Sequence, residues 1–134
     1  MDFNRYVGLP YKDKGRGPDG YDCWGLVRLV FSEQAGITLP SYVDDYVTAE
    51  DHQATADLIA GRMEPWFEID EKRVRPLDGV LMTRCGVERH MGLVVKRGYV
   101  LHILPDEGLS RIESYNSVRL AKRVSRFLRH EALK

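Results

Sequence analysis

The chain lacks a net charge. Twenty Lys and Arg side chains are matched by twenty Asp and Glu, so no long-range field draws it to nucleic acid or to an anionic membrane. It also lacks a long apolar run, and nothing approaches the ~20 residues that a bilayer-spanning helix needs. Its only cysteines are Cys23 and Cys85, too few for a disulfide scaffold. No Cys-x-x-Cys or His-x-x-x-His spacing supports a metal site made from Cys23, Cys85, His90 and His102, and no cofactor is expected. Internal repeats and low-complexity segments are missing too. The opening residues, Met1-Asp2-Phe3-Asn4-Arg5, have neither the basic nor the apolar region of a secretory signal. The expectation is synthesis in the cytoplasm, with both thiols reduced. A length of 134 residues suits one domain with a single core, spanning 1–134.

What the chain does have is a sharp change of texture at Asp22-Cys23-Trp24-Gly25-Leu26-Val27. Before it runs Gly15-Arg16-Gly17-Pro18-Asp19-Gly20, a string of turn residues. After it Leu26, Val27, Val30 and Phe31 recur at helical spacing, and Gly36 is the expected stop, so a helix is predicted over about 23–35. Asp22 suits the N-cap, since its carboxylate can accept the open amides of the first turn. Cys23 then becomes the first helical residue, where the helix end favours thiolate over thiol. The same amides suit a developing oxyanion. A lone cysteine is also a small buried apolar residue in many proteins, and this stretch by itself leaves both readings open.

Residues 1–10 read as a short helical or extended arm, and 11–21 as loop. A second, half-exposed helix is predicted over about 49–60, with Thr48 as cap and Gly61 as stop. After Arg75 come short apolar runs separated by turns, the signature of antiparallel strands. These are 80–83, 90–95, 99–104 and a fourth at 109–114. The segment 124–130 reads equally as a closing strand or part of an amphipathic helix. Helices first and a meandering antiparallel sheet afterwards define an α+β domain.

A cysteine nucleophile needs a base, and the base needs a group that orients it. Of the four histidines, His52 and His130 read as solvated surface residues. His90 opens one strand and His102 lies within the next, and strand register decides whether their rings meet. A two-residue Arg97-Gly98 turn sets Leu93 opposite His102 and separates the rings. A three-residue Lys96-Arg97-Gly98 loop, with Gly98 left-handed in a bulge, sets Gly92 opposite His102 and puts both rings on one face. The bulged loop is the expectation. Cys85 has no expected role, and the basic residues Arg119, Lys122, Arg123, Arg126 and Arg129 read as a solvated face.

With Cys23, His90 and His102 in hand, the chain resembles the NlpC family of cell-wall cysteine peptidases. The matching stretches are Asp22-Cys23-Trp24-Gly25-Leu26-Val27, Pro76-Leu77-Asp78-Gly79-Val80 and His90-Met91-Gly92-Leu93-Val94. His102 falls where that family places its third polar residue, and Tyr11 where it tends to carry an active-site tyrosine. The resemblance covers residues 9–130. It implies a papain-like α+β fold and cleavage of γ-D-glutamyl bonds to a diamino acid in peptidoglycan stem peptides. It implies Cys23 as nucleophile, His90 as general base and His102 as its orienting partner, with no metal. Tyr11 and Asp22 are implied as substrate-positioning residues, Asp22 toward the free amine of the stem peptide. Trp24 replaces the serine common after the cysteine, and its indole is expected to reshape the substrate cleft. The Cys-Trp-Gly variant also resembles the peptidase domains of bacteriophage tail-assembly proteins, which implies tail proteins as partners and the virion tail as destination. Two other readings use the same residues: a thiol amidase or acyltransferase, and a non-hydrolytic structural subunit of a tail tip.

Overall fold

A computed structural model describes residues 1–41, 65–84 and 86–134. The helix predicted at 49–60, together with His52 and Cys85, lies outside the described residues. Helix α1 (Cys23–Val30) starts where expected: the Asp22 carboxylate accepts the Gly25 N–H at 2.8 Å. Its last turn widens into a π-type turn over Phe31–Ala35, and Gly36 closes it at φ +65°. In that left-handed conformation Ile37 N–H reaches back to the Phe31 carbonyl, satisfying a carbonyl that the helix leaves open.

Among the described residues six strands form one antiparallel sheet: β1 (Trp66–Ile69), β2 (Gly79–Arg84), β3 (Val87–Lys96), β4 (Tyr99–His102), β5 (Arg111–Ser114) and β6 (Val124–His130). They lie in the order β1-β6-β2-β3-β4-β5. Residues 124–130 are therefore strand, which settles the ambiguity between strand and helix. They fill the slot between β2 and the short edge strand β1, which the sequence reading did not anticipate.

Alternating strand side chains supply two apolar layers. Leu81, Met91, Leu93, Leu101 and Leu128 pack with Leu26, Val27, Val30 and Phe31 from the helix. The four helix residues are nearly or wholly buried, each contributing on the order of 1.5–3 kcal/mol of apolar burial. The other layer joins Val80, Met82, Val94, Val100 and Phe127 to Tyr115 and Leu120.

Two expectations for surface residues are overturned. His130 is buried, edge-on to Trp66 at 5.1 Å and 5.7 Å from Phe31. Its Nδ1 accepts the Ala132 N–H. The pairing of Trp66 with His130 across β1 and β6 makes this cluster. Arg129, expected on a solvated face, is also buried. It donates to both oxygens of Asp78, at 2.9 and 2.8 Å, and to the Arg73 carbonyl. This two-pronged bond ties β6 to the turn ahead of β2.

Candidate active site

The N-terminal arm is held against the loop between β4 and β5. Gly8 N–H donates to the Ser110 carbonyl, Ser110 N–H to Leu9, and Tyr11 N–H to Gly108. Tyr21 N–H in turn donates to the Pro10 carbonyl, and Lys12 N–H to that of Tyr21. These bonds carry Tyr11 to the start of α1. The helix approaches the loop at 11–21 so closely that a Cβ on Gly25 would lie 2.0 Å from the Gly15 carbonyl oxygen. Only glycine fits there.

Two bulges bracket the segment that carries the first histidine. Met82 faces His90 while Thr83 faces Glu88, which leaves Arg89 as the extra residue. Val94 faces Val100 while Lys96 faces Tyr99, which leaves Val95 extra. The hairpin turn is therefore the two-residue Arg97-Gly98, not the expected three-residue loop. The bulge sits at Val95, within β3 and three positions before Gly98, and restores the register that the longer loop was expected to give. Gly98 is left-handed, as expected, at φ +96°. The rings meet: His90 Nε2 lies 2.8 Å from His102 Nδ1, with the ring centres 5.1 Å apart. A Cβ on Gly92 would lie 2.9 Å from His102 Cβ, so the bare backbone at 92 makes room for the pair.

Cys23, His90 and Tyr11 line one small cavity of ≈ 20 Å³, with Arg84, Arg89 and Leu104 completing its wall. His102 is buried behind His90. Asp22 and Trp24 do not line this cavity. Asp22 is wholly buried, and its Oδ1 accepts from both Gly25 N–H and Arg16 Nη1, each at 2.8 Å. The Trp24 indole N–H donates to the Pro40 carbonyl at 2.8 Å. That bond turns the ring toward the segment leaving α1.

The electrostatics reverse one expectation. Loss of hydration pushes the Cys23 thiol up to about 12, and the neighbouring Asp22 charge adds to this. The Met91 and Trp24 backbone amides and the Arg16 charge pull the other way but do not prevail. The helix-end effect is worth ~1 kcal/mol, against the larger cost of stripping water from a thiolate. Burial also holds His90 well below the usual histidine range, helped by His102, Arg84, Arg89 and Arg123. Both shifts favour neutral thiol and neutral imidazole over a thiolate–imidazolium pair. His102 is lowered as well, chiefly by burial, although its bond to Glu113 works upward.

Glu113 escaped the sequence reading. Its Oε2 lies 2.6 Å from His102 Nε2. The signal was present: β5 pairs Arg111 with His102 and Glu113 with Val100, so an acid two residues along shares the histidine's face.

Residues 8–129 match the NlpC/P60 family. A stretch of 37 residues is 49% identical to gamma-DL-glutamyl hydrolase of Bacillus subtilis (strain 168), covering 27% of this chain and only 9% of that protein's length. Among solved structures, the NlpC/p60 domain of the peptidoglycan hydrolase SagA superposes with a TM-score of 0.65 at 16% identity, over 93% of this chain and 90% of that one. An NlpC/P60 family protein from Bacillus cereus ATCC 10987 gives 0.66 at 18% identity, over 93% of this chain and 36% of that one. The P60 domain of an antigen of M. avium subspecies paratuberculosis gives 0.60 at 18% identity, over 94% and 86%. Likenesses at such identity speak to the α+β, papain-like fold alone; the match along the sequence goes further, and by it this chain belongs to the NlpC/P60 family.

Proposed function

We propose that this domain is a cysteine peptidase of peptidoglycan stem peptides, cutting the γ-D-glutamyl bond to the diamino acid. The observation that carries this reading is the convergence of Cys23 and His90 on one cavity with His102 bonded behind the imidazole. The similarity to a gamma-DL-glutamyl hydrolase supports the choice of bond.

The chemistry follows from the neutral resting pair. Since His90 Nε2 is engaged by His102, Nδ1 remains to take the thiol proton. That transfer accompanies attack of the sulfur on the substrate carbonyl carbon, so charge appears only as the new C–S bond forms. The oxyanion is stabilised by backbone amides around the sulfur. Collapse breaks the C–N bond, and the departing amine leaves with the proton held by His90. Water then attacks the thioester, giving up a proton to His90. The acid leaves and the thiol takes its proton back. Tyr11 forms a wall of this cavity and positions the peptide. Asp22 acts from behind by fixing the helix start, and Trp24, bonded to the Pro40 carbonyl, braces the segment leaving α1.

An amidase or acyltransferase would use the same steps with a different acceptor. The Cys23-Trp24-Gly25 variant supports a place in a phage tail-assembly protein, in which case the domain is found in purified virions by mass spectrometry. The decisive experiment is incubation of the protein with defined muropeptides containing γ-D-Glu-diaminopimelate, with Cys23→Ala as control. Cleavage by the wild type and none by the folded variant is expected; equal turnover by both ends the peptidase reading.

A further inference from the structure

The hydrogen-bonded line from the thiol's base does not stop at His102. Glu113 Oε2 lies 2.6 Å from His102 Nε2, and His102 Nδ1 lies 2.8 Å from His90 Nε2. A carboxylate offers only acceptors, so His102 must carry its proton on Nε2. Neutral His102 then presents a lone pair on Nδ1, and His90 must donate to it through Nε2–H. Neutral His90 is left with its own lone pair on Nδ1, the form required of a base facing a protonated thiol. One carboxylate thereby sets the tautomer of two successive rings.

We propose that Glu113 is a positioning residue of the active site, holding His90 as the Nε2–H tautomer by way of His102. The inference rests on the reading of Cys23 and His90 as nucleophile and base. When His90 takes the thiol proton, the resulting imidazolium points Nε2–H at a ring that is itself anchored to an anion. The carboxylate therefore stabilises the charged state as well as selecting the tautomer.

Glu113 is placed for this by backbone pairing and not by a loop. It sits on β5 opposite Val100, with Tyr99 paired to Ser114 and His102 to Arg111 on either side. Arg119 lies 3.8 Å from the same carboxylate oxygen and is itself paired with Glu107. The charged and titratable groups around the two rings are Glu113 and Arg111 from β5, and Arg119 and Arg123 from the segment before β6. Arg84 at the end of β2 and Arg89 at the β3 bulge add to these, and Cys23 and Tyr11 share the cavity wall with His90. Glu113 is the one anion among these that touches a ring. If it merely satisfied a buried histidine, any neutral acceptor of the same shape would serve as well.

Glu113→Gln makes that comparison, because its amide oxygen can still accept from Nε2–H but carries no charge. The side chain is partly exposed (19%), so the isosteric change should be tolerated. On muropeptide, kcat is expected to fall about tenfold with KM unchanged. The acidic limb of the pH profile should move to lower pH, since loss of a neighbouring carboxylate makes an imidazole less basic. The His102 Nε2–H proton resonance, far downfield in the wild type, should move upfield. A folded variant with unaltered kcat, pH limb and resonance overturns the proposal. The wild-type protein supplies a second test that needs neither substrate nor variant: nitrogen-15 shifts of the imidazoles should show Nε2–H on both His90 and His102. Nδ1–H on either ring overturns the proposal outright. A wild type that cleaves no muropeptide would instead fault the peptidase reading, and the tautomer measurement would still decide this one.

Discussion

Gly92→Ala tests the fold and the site together. A Cβ there would lie 2.6 Å from Val100 Cγ2, 2.9 Å from His102 Cβ and 2.9 Å from the Leu101 carbonyl oxygen. Comfortable carbon contacts begin near ~3.5 Å, so these atoms must retreat by roughly 0.6–0.9 Å. The Val100 methyl can rotate away. The Leu101 oxygen and His102 Cβ cannot, because both are fixed to the β4 backbone, and the two strands must separate. Overpacking of this kind costs about 1–3 kcal/mol, and at ~4 °C per kcal/mol the melting temperature should fall by about 4–12 °C. The same displacement would lengthen the 2.8 Å bond between the rings to roughly 3.4 Å, beyond useful hydrogen-bond length. Calorimetry and muropeptide turnover should therefore both respond, with kcat reduced at least ~tenfold, as misplacement by a fraction of an ångström allows. Adding Val100→Ala should recover part of the stability and little of the rate, since the backbone contacts persist. A single variant that melts within about one degree of wild type and turns over at full speed would refute this account of why residue 92 is glycine.

Three further outcomes are expected. Because the Cys23 thiol is pushed up to about 12, the protonated form persists through neutral pH. Alkylation at Cys23 should be slow at pH 7 and climb steadily above pH 9; half-maximal labelling below pH 7 would show a resting thiolate. Asp78→Ala leaves the Arg129 guanidinium buried without its carboxylate, and urea unfolding should show a loss of about 3–5 kcal/mol; a loss under about 1 kcal/mol would mean that water replaces the pair. His90→Ala should depress kcat more than His102→Ala, since proton transfer contributes more than orientation; equal or inverted losses would exchange the two roles.

The helix start was legible because it is a local matter. An acid followed by an apolar 3.6-residue period carries its own cap and its own buried stripe, and Asp22 and Gly36 behave as expected. The meeting of His90 and His102 is legible from strand alternation given a left-handed Gly98, but the position of the bulge is not. Nothing about Val95 distinguishes it from Val94; the extra residue falls there because of how β3 lies across both neighbours. Burial of His130 and Arg129 was hidden for the same reason. Each depends on a partner more than 50 positions away, Trp66 and Asp78, and no local pattern encodes such distances. The state of the thiol is not legible, because sequence displays the helix end and conceals the hydration that folding removes. Glu113 is legible from register alone, because it lies two residues beyond Arg111, the partner of His102 on β5.

On the proposed reading of Cys23 as nucleophile, the upward push on its thiol bears on how the domain ages. Peroxide attacks sulfur as the anion, and the first product, a sulfenic acid, opens the way to irreversible acids. A nucleophile that keeps its proton until a peptide is in place offers oxidants very little to react with. Under that reading the thiol would outlast aerated surroundings with no reductant at hand and meet its substrate intact.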